Sequence, residues 1–263
     1  MKVAIAGISG RMGQTLAAHV LADASLTLVG GSERPGFDEV ALRRSLAAVG
    51  AGDVFLCDAA AALAERADCV IDFTSPAATL AMAEAVAATN GIHIIGTTGF
   101  SEAEQQQLAR FAGKARMVQS GNFSLGVNLL EMLVEQVAAK LADDYDIEIH
   151  EAHHRHKKDS PSGTALMLGR AAARGRGVSL SEKHTVHAHG ARKRGDIGFS
   201  VARGGDIVGI HHVMFAGTGE TLTLSHQGFD RGIYAAGALA AAKWAKAQPS
   251  GLYSMRDVLA STR

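Results

Sequence analysis

Cysteine is scarce in this chain of 263 residues: there are two, Cys57 and Cys69. They form neither a metal-binding nor a redox spacing, so no structural disulfide and no thiolate-held metal is expected. Net charge is missing too. With 26 basic against 26 acidic side chains, the sequence offers no broad electrostatic case for nucleic acid or an anionic membrane as partner. No apolar run reaches the roughly 18–20 residues of a bilayer-spanning helix. The opening Met1-Lys2-Val3-Ala4-Ile5-Ala6 has neither the length nor the cleavage site of a signal peptide. These absences predict a soluble, cytoplasmic globular protein. Its 47% hydrophobic residues suffice for one large domain or two modest ones, each with its own core.

What is present is a change of texture along the chain. In the first part, β-branched runs at Lys2 to Ala6, Leu26 to Val29, Val54 to Leu56, Cys69 to Phe73, His93 to Ile95 and Ala115 to Gln119 read as strands. Alanine-rich stretches at Arg11 to Ala22, Ala59 to Arg66, Ala77 to Thr89 and Glu102 to Ala112 read as helices between them. This alternation predicts a doubly wound parallel sheet covered on both faces. Ser101-x-x-Glu104 reads as a capping box. Beyond a long helical pattern, Leu125 to Leu141, come a strand from Tyr145 to Glu151 and a helix from Ser162 to Ala173. Extended runs follow at His184 to His189, Ile197 to Arg203, Ile207 to Phe215 and Glu220 to Ser225. No helix divides the last three, which predicts a smaller α+β domain with an open, mixed sheet. A final helix near Arg231 to Ala247 returns to the alanine-rich pattern. The expected division is therefore residues 1–124 as a Rossmann-like dinucleotide-binding domain, completed by 231–263, with 125–230 as a substrate-binding and oligomerisation domain.

The run Gly7-Ile8-Ser9-Gly10-Arg11-Met12-Gly13 follows the first strand and opens the first helix. Its glycines permit a tight turn, close approach to a pyrophosphate and helix–sheet packing, and the helix start offers N–H groups to phosphates. Glu33 stands where an acid binds ribose hydroxyls, and the adjacent Arg34 suits a 2′-phosphate, so NADH and NADPH both remain open as cofactors. A solvated surface pair is the plain alternative. Gly96-Thr97-Thr98-Gly99 and Ser120-Gly121-Asn122-Phe123-Ser124 follow later strands at the same expected sheet edge, where a dinucleotide would lie across them.

The most concentrated chemistry lies in Glu151-Ala152-His153-His154-Arg155-His156-Lys157-Lys158-Asp159-Ser160-Pro161-Ser162-Gly163-Thr164-Ala165. Histidine titrates near neutrality, Lys157 adds positive charge, and Ser162-Gly163-Thr164 at a helix start suit a carboxylate or phosphate. General acid–base chemistry on an anionic substrate is the favoured reading, against a solvated basic loop. A metal site lacks the His-x-x-x-His helical spacing, and none is expected. Arg231 is a further candidate anion contact.

This segment closely resembles the signature of the 4-hydroxy-tetrahydrodipicolinate (dihydrodipicolinate) reductase family. Gly7–Gly13, Glu33-Arg34, Val70-Ile71-Asp72-Phe73-Thr74, Gly96-Thr97-Thr98-Gly99-Phe100, Asn122–Asn128 and Arg203–Gly209 also stand in family order, so the resemblance spans nearly the whole chain. It implies NADH- and/or NADPH-dependent reduction of a small cyclic dicarboxylate on the diaminopimelate route to lysine, by a homotetramer whose domains are joined by a hinge. By resemblance, His153 is the proton donor and Lys157 a second one, with His154, Ser162, Gly163 and Thr164 on the substrate. Gly7, Ile8, Ser9, Gly10, Arg11, Met12, Glu33, Arg34, Gly96, Thr97, Thr98, Ser120, Gly121, Asn122 and Phe123 then hold the cofactor. The chain departs from the family at His187-Ala188-His189-Gly190-Ala191-Arg192-Lys193-Arg194-Gly195, where an Arg-x-Gly-x-Thr-Gly-x-Arg run is usual. His150, His211 and His212 carry no expected role. An aldehyde dehydrogenase of the aspartate-semialdehyde type needs a thiolate, and both cysteines fall on expected core elements far from the histidines. A non-catalytic NAD sensor would leave the His-Lys segment without a purpose.

Overall fold

The computed structural model describes residues 1–186 and 191–260, so the end of the run expected as a strand at His184–His189, and Gly190 after it, lie outside the described residues. In chain order the elements begin β1 (Lys2–Ala6), α1 (Arg11–Ala22), β2 (Thr27–Ser32), α2 (Glu39–Ala47), β3 (Phe55–Cys57), α3 (Ala60–Ala64), β4 (Cys69–Asp72) and α4 (Pro76–Ala88). There follow β5 (Ile92–Ile95), α5 (Glu102–Phe111), β6 (Arg116–Gln119), α6 (Leu125–Lys140), β7 (Asp146–His153) and α7 (Gly163–Arg176). The chain continues with α8 (Leu180–Lys183), β8 (His184–Val186), β9 (Ile197–Arg203), β10 (Gly209–Ala216), β11 (Thr221–Gly228), α9 (Gly232–Ala245), β12 (Gly251–Tyr253) and α10 (Met255–Ala260). Residue contacts divide it into two compact units, Met1–Ser124 with Gly232–Arg263, and Leu125–Arg231.

The first unit holds a seven-stranded sheet in the order β12-β6-β5-β4-β1-β2-β3, with every adjacent pair parallel. The order 3-2-1-4-5-6 within it is that of doubly wound dinucleotide-binding folds. Strand periodicity sorts the side chains: Val3 and Ile5 enter the core shared with α1 and α9, while Ala4 and Ala6 enter the core of the opposite face. The expected capping box is present, with Ser101 Oγ accepting from Glu104 N–H and Glu104 holding the Ser101 N–H at 2.7 Å. Helix α9 lies against α1 and the sheet. Its small residues allow a close approach: a Cβ at Gly237 would stand 1.7 Å from the Phe123 carbonyl oxygen. Helix α2 was not legible in sequence. It buries only Leu42 and Leu46, and the side chain of its N-cap, Asp38, accepts the Ala41 N–H.

The second unit carries a five-stranded mixed sheet in the order β11-β10-β7-β9-β8. Strands β7, β9 and β8 run parallel, and β10 and β11 are antiparallel to their neighbours. Ile147 and Ile149 of β7 pack with α6 and α7 in one core. The same face of β7 continues, two residues at a time, to Glu151 and His153. Apolar core thus gives way to ionisable groups along a single strand. That strand runs two residues beyond the expected end because His153 pairs with Arg203 of β9 and its carbonyl accepts the Gly204 N–H at 3.0 Å.

Candidate active site

At the carboxyl end of β1, Gly7 adopts φ +69°, a left-handed turn, and donates its N–H to the Ser32 carbonyl at 2.9 Å. A Cβ at Gly13 would meet the Gly7 carbonyl at 2.3 Å, so only glycine lets α1 sit this close to the strand. Helix α1 begins at Gly10 with no side-chain cap and no acid in its first turn, leaving a helix start suited to a phosphate. Ile8 is fully buried, so its contribution to a ligand is limited to backbone; Ser9 and Arg11 are exposed and Met12 half-buried.

Glu33 Oε1 accepts the Ser9 N–H at 3.0 Å and the Ser9 hydroxyl at 2.6 Å. With the exposed Arg34 it borders two cavities. One, of about 420 Å³, is also lined by Gly7, Asp58, Thr74 and Met82. The other, of about 480 Å³, is lined by Ser9, Gln14, Phe37 and Ser45. Glycine cradle, uncapped helix start and flanking cavities fit a dinucleotide in shape and in hydrogen-bond donors.

The two later loops use their side chains differently from the simplest expectation. Thr97 is turned inward: its Oγ1 accepts from the Thr74 N–H at 3.0 Å and the Thr79 hydroxyl at 2.8 Å, and donates to Asp72 at 3.3 Å. Asp72 is itself fully buried, 3.3 Å from the equally buried His93. Burial works to raise its pKa, yet His93, Thr74 and Thr79 together hold the carboxyl below its ordinary value. Gly96 is required by the Phe73 ring, which a Cβ would meet at 2.2 Å. The Phe123 ring is buried, 5.6 Å from that of Phe73, and Ser120 Oγ bonds the Asn122 carbonyl at 2.6 Å. Thr98 and Gly121 are exposed. Thr97 and Phe123 therefore offer a ligand backbone rather than side chain.

In the second unit, buried His153 points Nδ1 at Glu151 Oε2, 2.5 Å away. Glu151 is also fully buried and is gripped by both prongs of Arg203, at 2.8 and 2.9 Å. Its Oε1 accepts the Ser162 N–H at 2.9 Å. Burial alone would raise the pKa of this carboxyl; Arg203, His153 and Ser162 reverse that and keep it ionised. For His153, burial is the largest influence and lowers the pKa, with Lys157 and Arg203 adding to it against the opposing pull of Glu151. Gly209 makes room for the ring, since a Cβ there would stand 3.2 Å from Nε2.

Ser162 caps α7, its Oγ accepting the Ala165 N–H at 3.1 Å, so both its N–H and its hydroxyl are engaged within the chain. Lys157 Nζ lies 2.9 Å from Asp159 Oδ1. Burial pushes the Asp159 pKa up, but Lys157 and backbone N–H groups including that of Gly163 bring it down. A carboxylate of the chain itself thus rests at the start of α7 beside Lys157. His154 Nδ1 is buried without a hydrogen-bond partner.

Sequence reasoning gave no role to Glu151, Arg203 or His211. His211 lies edge-on to His153, ring centroids 5.1 Å apart, with Nε2 3.3 Å from Ser162 Oγ. Burial, reinforced by His153, pulls its pKa down to about 3. Strand spacing was the available signal: Glu151 and His153 share a face of β7. Among the described residues no group of His, Cys, Asp or Glu could hold a metal ion. Arg231 is exposed.

The comparisons with known proteins divide the chain near the same first boundary, but their second part runs on through α9, β12 and α10, which pack with the first unit. Family models for "Dihydrodipicolinate reductase, N-terminus" and "Dihydrodipicolinate reductase, C-terminus" match residues 1–123 and 126–259. The chain belongs to the dihydrodipicolinate reductase family. A 4-hydroxy-tetrahydrodipicolinate reductase of Dinoroseobacter shibae is 52% identical over 261 residues, covering 98% of this chain and 97% of the relative. One from Roseobacter denitrificans is 51% identical over 264 residues, with the same coverages. Among solved structures, a dipicolinate-bound dihydrodipicolinate reductase from Paenisporosarcina sp. TG-14 aligns over 97% of each chain with TM-score 0.79 at 24% identity, a likeness of fold. Membership in this family makes the chain an oxidoreductase and sets aside both the thiolate dehydrogenase and the sensor.

Proposed function

We propose that this chain reduces 4-hydroxy-tetrahydrodipicolinate to tetrahydrodipicolinate with NADH or NADPH, in lysine and diaminopimelate biosynthesis. The observation that carries the site-level reading is the carboxylate of Asp159 resting at the start of α7 beside Lys157, in the segment that bears His153. A place that takes the chain's own carboxylate is chemically suited to one from a dicarboxylate substrate. Residues 1–124 with 231–263 would bind the cofactor and 125–230 the substrate. In the first unit the Gly7–Met12 loop, Glu33, Arg34, the Gly96–Thr98 backbone and the Ser120–Phe123 loop hold the dinucleotide. When bound, the reduced nicotinamide supplies the hydride that adds at C4 of the dehydrated substrate.

Lys157, His154 and the Gly163–Thr164 backbone hold and orient the substrate. His153 supplies the proton at C3. Burial keeps it neutral when the site is empty; two substrate carboxylates beside it favour the imidazolium, which then donates from Nε2. Lys157 assists as a second proton source. No covalent intermediate is needed.

The family resemblance further implies a homotetramer. Helices α6 and α7 cover one face of the second sheet; the other carries exposed His150 and Ser200 with half-buried His212 and Met214 and is the surface we assign to self-association. Light scattering after gel filtration tests it: a monomeric mass at assay concentration would end this part of the reading.

The activity is tested by following cofactor oxidation with substrate generated in situ from pyruvate and aspartate semialdehyde by the preceding synthase, beside a no-synthase blank. Synthase-dependent oxidation of NADH or NADPH is expected. Its absence from folded, cofactor-bound protein would overturn the assignment.

A further inference from the structure

Glu151 is the only ionisable group that touches both the His153 ring and the start of α7 through hydrogen bonds among the described residues. It sits at the centre of four donors. Oε1 accepts from Ser162 N–H and Arg203 Nη2, each at 2.9 Å; Oε2 accepts from His153 Nδ1 at 2.5 Å and Arg203 Nη1 at 2.8 Å. Two bonds to each oxygen fill the capacity of a carboxylate that accepts and never donates. Arg203 reaches further, with Nη2 on the Asp159 carbonyl at 2.7 Å and Nη1 on that of Ala202 at 2.7 Å. The planar fork therefore joins the carboxylate to the backbone of the segment between Lys157 and α7.

We propose that Glu151 and Arg203 are positioning residues for proton transfer, fixing His153 as the Nδ1–H form with Nε2 as its reactive nitrogen and tying that ring to the start of the substrate-gripping helix. The inference rests on the reading of His153 as proton donor. Its logic is steric and electrostatic. An ionised carboxylate has no proton to offer Nδ1, so Nδ1 must carry one, and the neutral ring is left with a basic Nε2. Gly209, which has no side chain beside Nε2, keeps that nitrogen uncovered.

The step balances as follows. Once hydride has added at C4, the Nε2–H bond of the His153 imidazolium breaks, a C3–H bond forms, and the enamine electron pair moves to C3. The ring is left neutral, its remaining proton on Nδ1 against Glu151. Solvent restores the Nε2 proton before the next turnover. The charged and titratable groups facing the ring are Glu151 on its own strand, Arg203 on β9, His211 on β10 and Lys157 in the following segment, with His226 of β11 beyond His211. Of these only Glu151 stabilises the imidazolium.

Glu151→Gln keeps the shape and removes the charge. Turnover should fall by about 10²–10⁴-fold, as when the carboxylate behind a catalytic histidine becomes an amide, with KM and NADH affinity within about threefold. The alkaline limb of the kcat–pH profile should move to lower pH, because the imidazolium loses its stabilising partner. Nitrogen-15 spectra of labelled histidine provide a readout independent of substrate: His153 should be protonated at Nδ1 alone in the wild type and become a mixture in the variant. Arg203→Lys, which keeps the charge and loses the fork, should give a smaller loss of turnover and the same mixing; it serves as the test if Glu151→Gln does not fold. A folded variant with unchanged turnover, unchanged limb and a single Nδ1–H form would overturn the proposal. A wild type inactive on this dicarboxylate, with the tautomer still set by Glu151, would sink the reductase reading and support the positioning role.

Discussion

Where β1 ends, Gly7 and Gly10 bring backbone to the surface and buried Gly13 seats α1 close behind them; where β7 ends, Glu151 and its partner Arg203 take charge into the interior beside His153. Both places suit anions. The first does so with peptide dipoles, and the side chains of Ile8, Thr97 and Phe123 are turned away into the core. The second does so with the cations Lys157 and Arg203, each held by a carboxylate of the chain, beside a histidine that burial keeps neutral until an anion arrives. A backbone site tolerates changes of side-chain chemistry and fails on added volume. A charged, buried site fails on loss of a single atom, since its neighbours are then left unpaired in a medium that solvates them poorly.

Four substitutions sharpen or break this contrast. The largest effect is expected from His153→Gln, which should lower kcat by about 10²–10⁴-fold with little change in KM, because a proton donor acts mainly in the transition state. Steady-state kinetics on the coupled assay decide it; full turnover would remove His153 from the chemistry. Next comes Arg34→Ala, which should weaken NADPH by about 10–100-fold through loss of a charged hydrogen bond and leave NADH nearly unchanged. Equal losses for both cofactors, measured by fluorescence titration, would place the 2′-phosphate elsewhere.

Gly13→Ala comes third. The added methyl meets the Gly7 carbonyl at 2.3 Å, and overpacking of this kind costs about 1–3 kcal/mol. Thermal unfolding should drop by several degrees, and NADH binding should weaken with it; an unchanged Tm would show that the loop gives way easily. The smallest effect is a change of pH dependence. The Asp72 carboxyl has a folded-state pKa below its ordinary value, so its stabilising contribution is present above the unfolded pKa and is lost as pH falls through the folded one. Asp72→Asn should flatten the acid side of a Tm–pH curve. An acid limb as steep as the wild type's would assign that loss to other carboxylates.

The same contrast explains what could be read from the sequence. Local signals sufficed for six of the seven strands of the first sheet: β1 and α1 fall on their expected bounds because the alternation of strand and helix is written in neighbouring residues. The mixed second sheet was legible from runs such as Ile197–Arg203, again at its expected bounds. Its strand order was not, since β7 lies between β9 and β10 through pairings distant in the chain. The histidine segment stood out by composition. Its supporting groups did not, because Arg203 lies 52 residues from Glu151 and His211 lies 49 from Ser162. Nor does a Gly-Thr-Thr-Gly run announce that Thr97 serves a buried Asp72–His93 pair. Helix α2 and strand β12 carry too few buried apolar residues for periodicity to register.

The packing of α9 and β12 into the first sheet has a consequence for synthesis. Strand β6 ends at Gln119, but its outer partner begins only at Gly251, 132 residues later in the chain (251 − 119). At about 5–20 residues per second, a ribosome needs roughly 7–26 s to cover that stretch. Throughout that interval one edge of the nascent sheet is unpaired, and the face that α1 and α9 cover together has only α1 over it. The second unit, finished at Arg231, is complete before the unit that began first. Birth order and folding order are therefore reversed, and a stalled or truncated chain would present an open parallel edge to whatever chaperone, or neighbour, reaches it first.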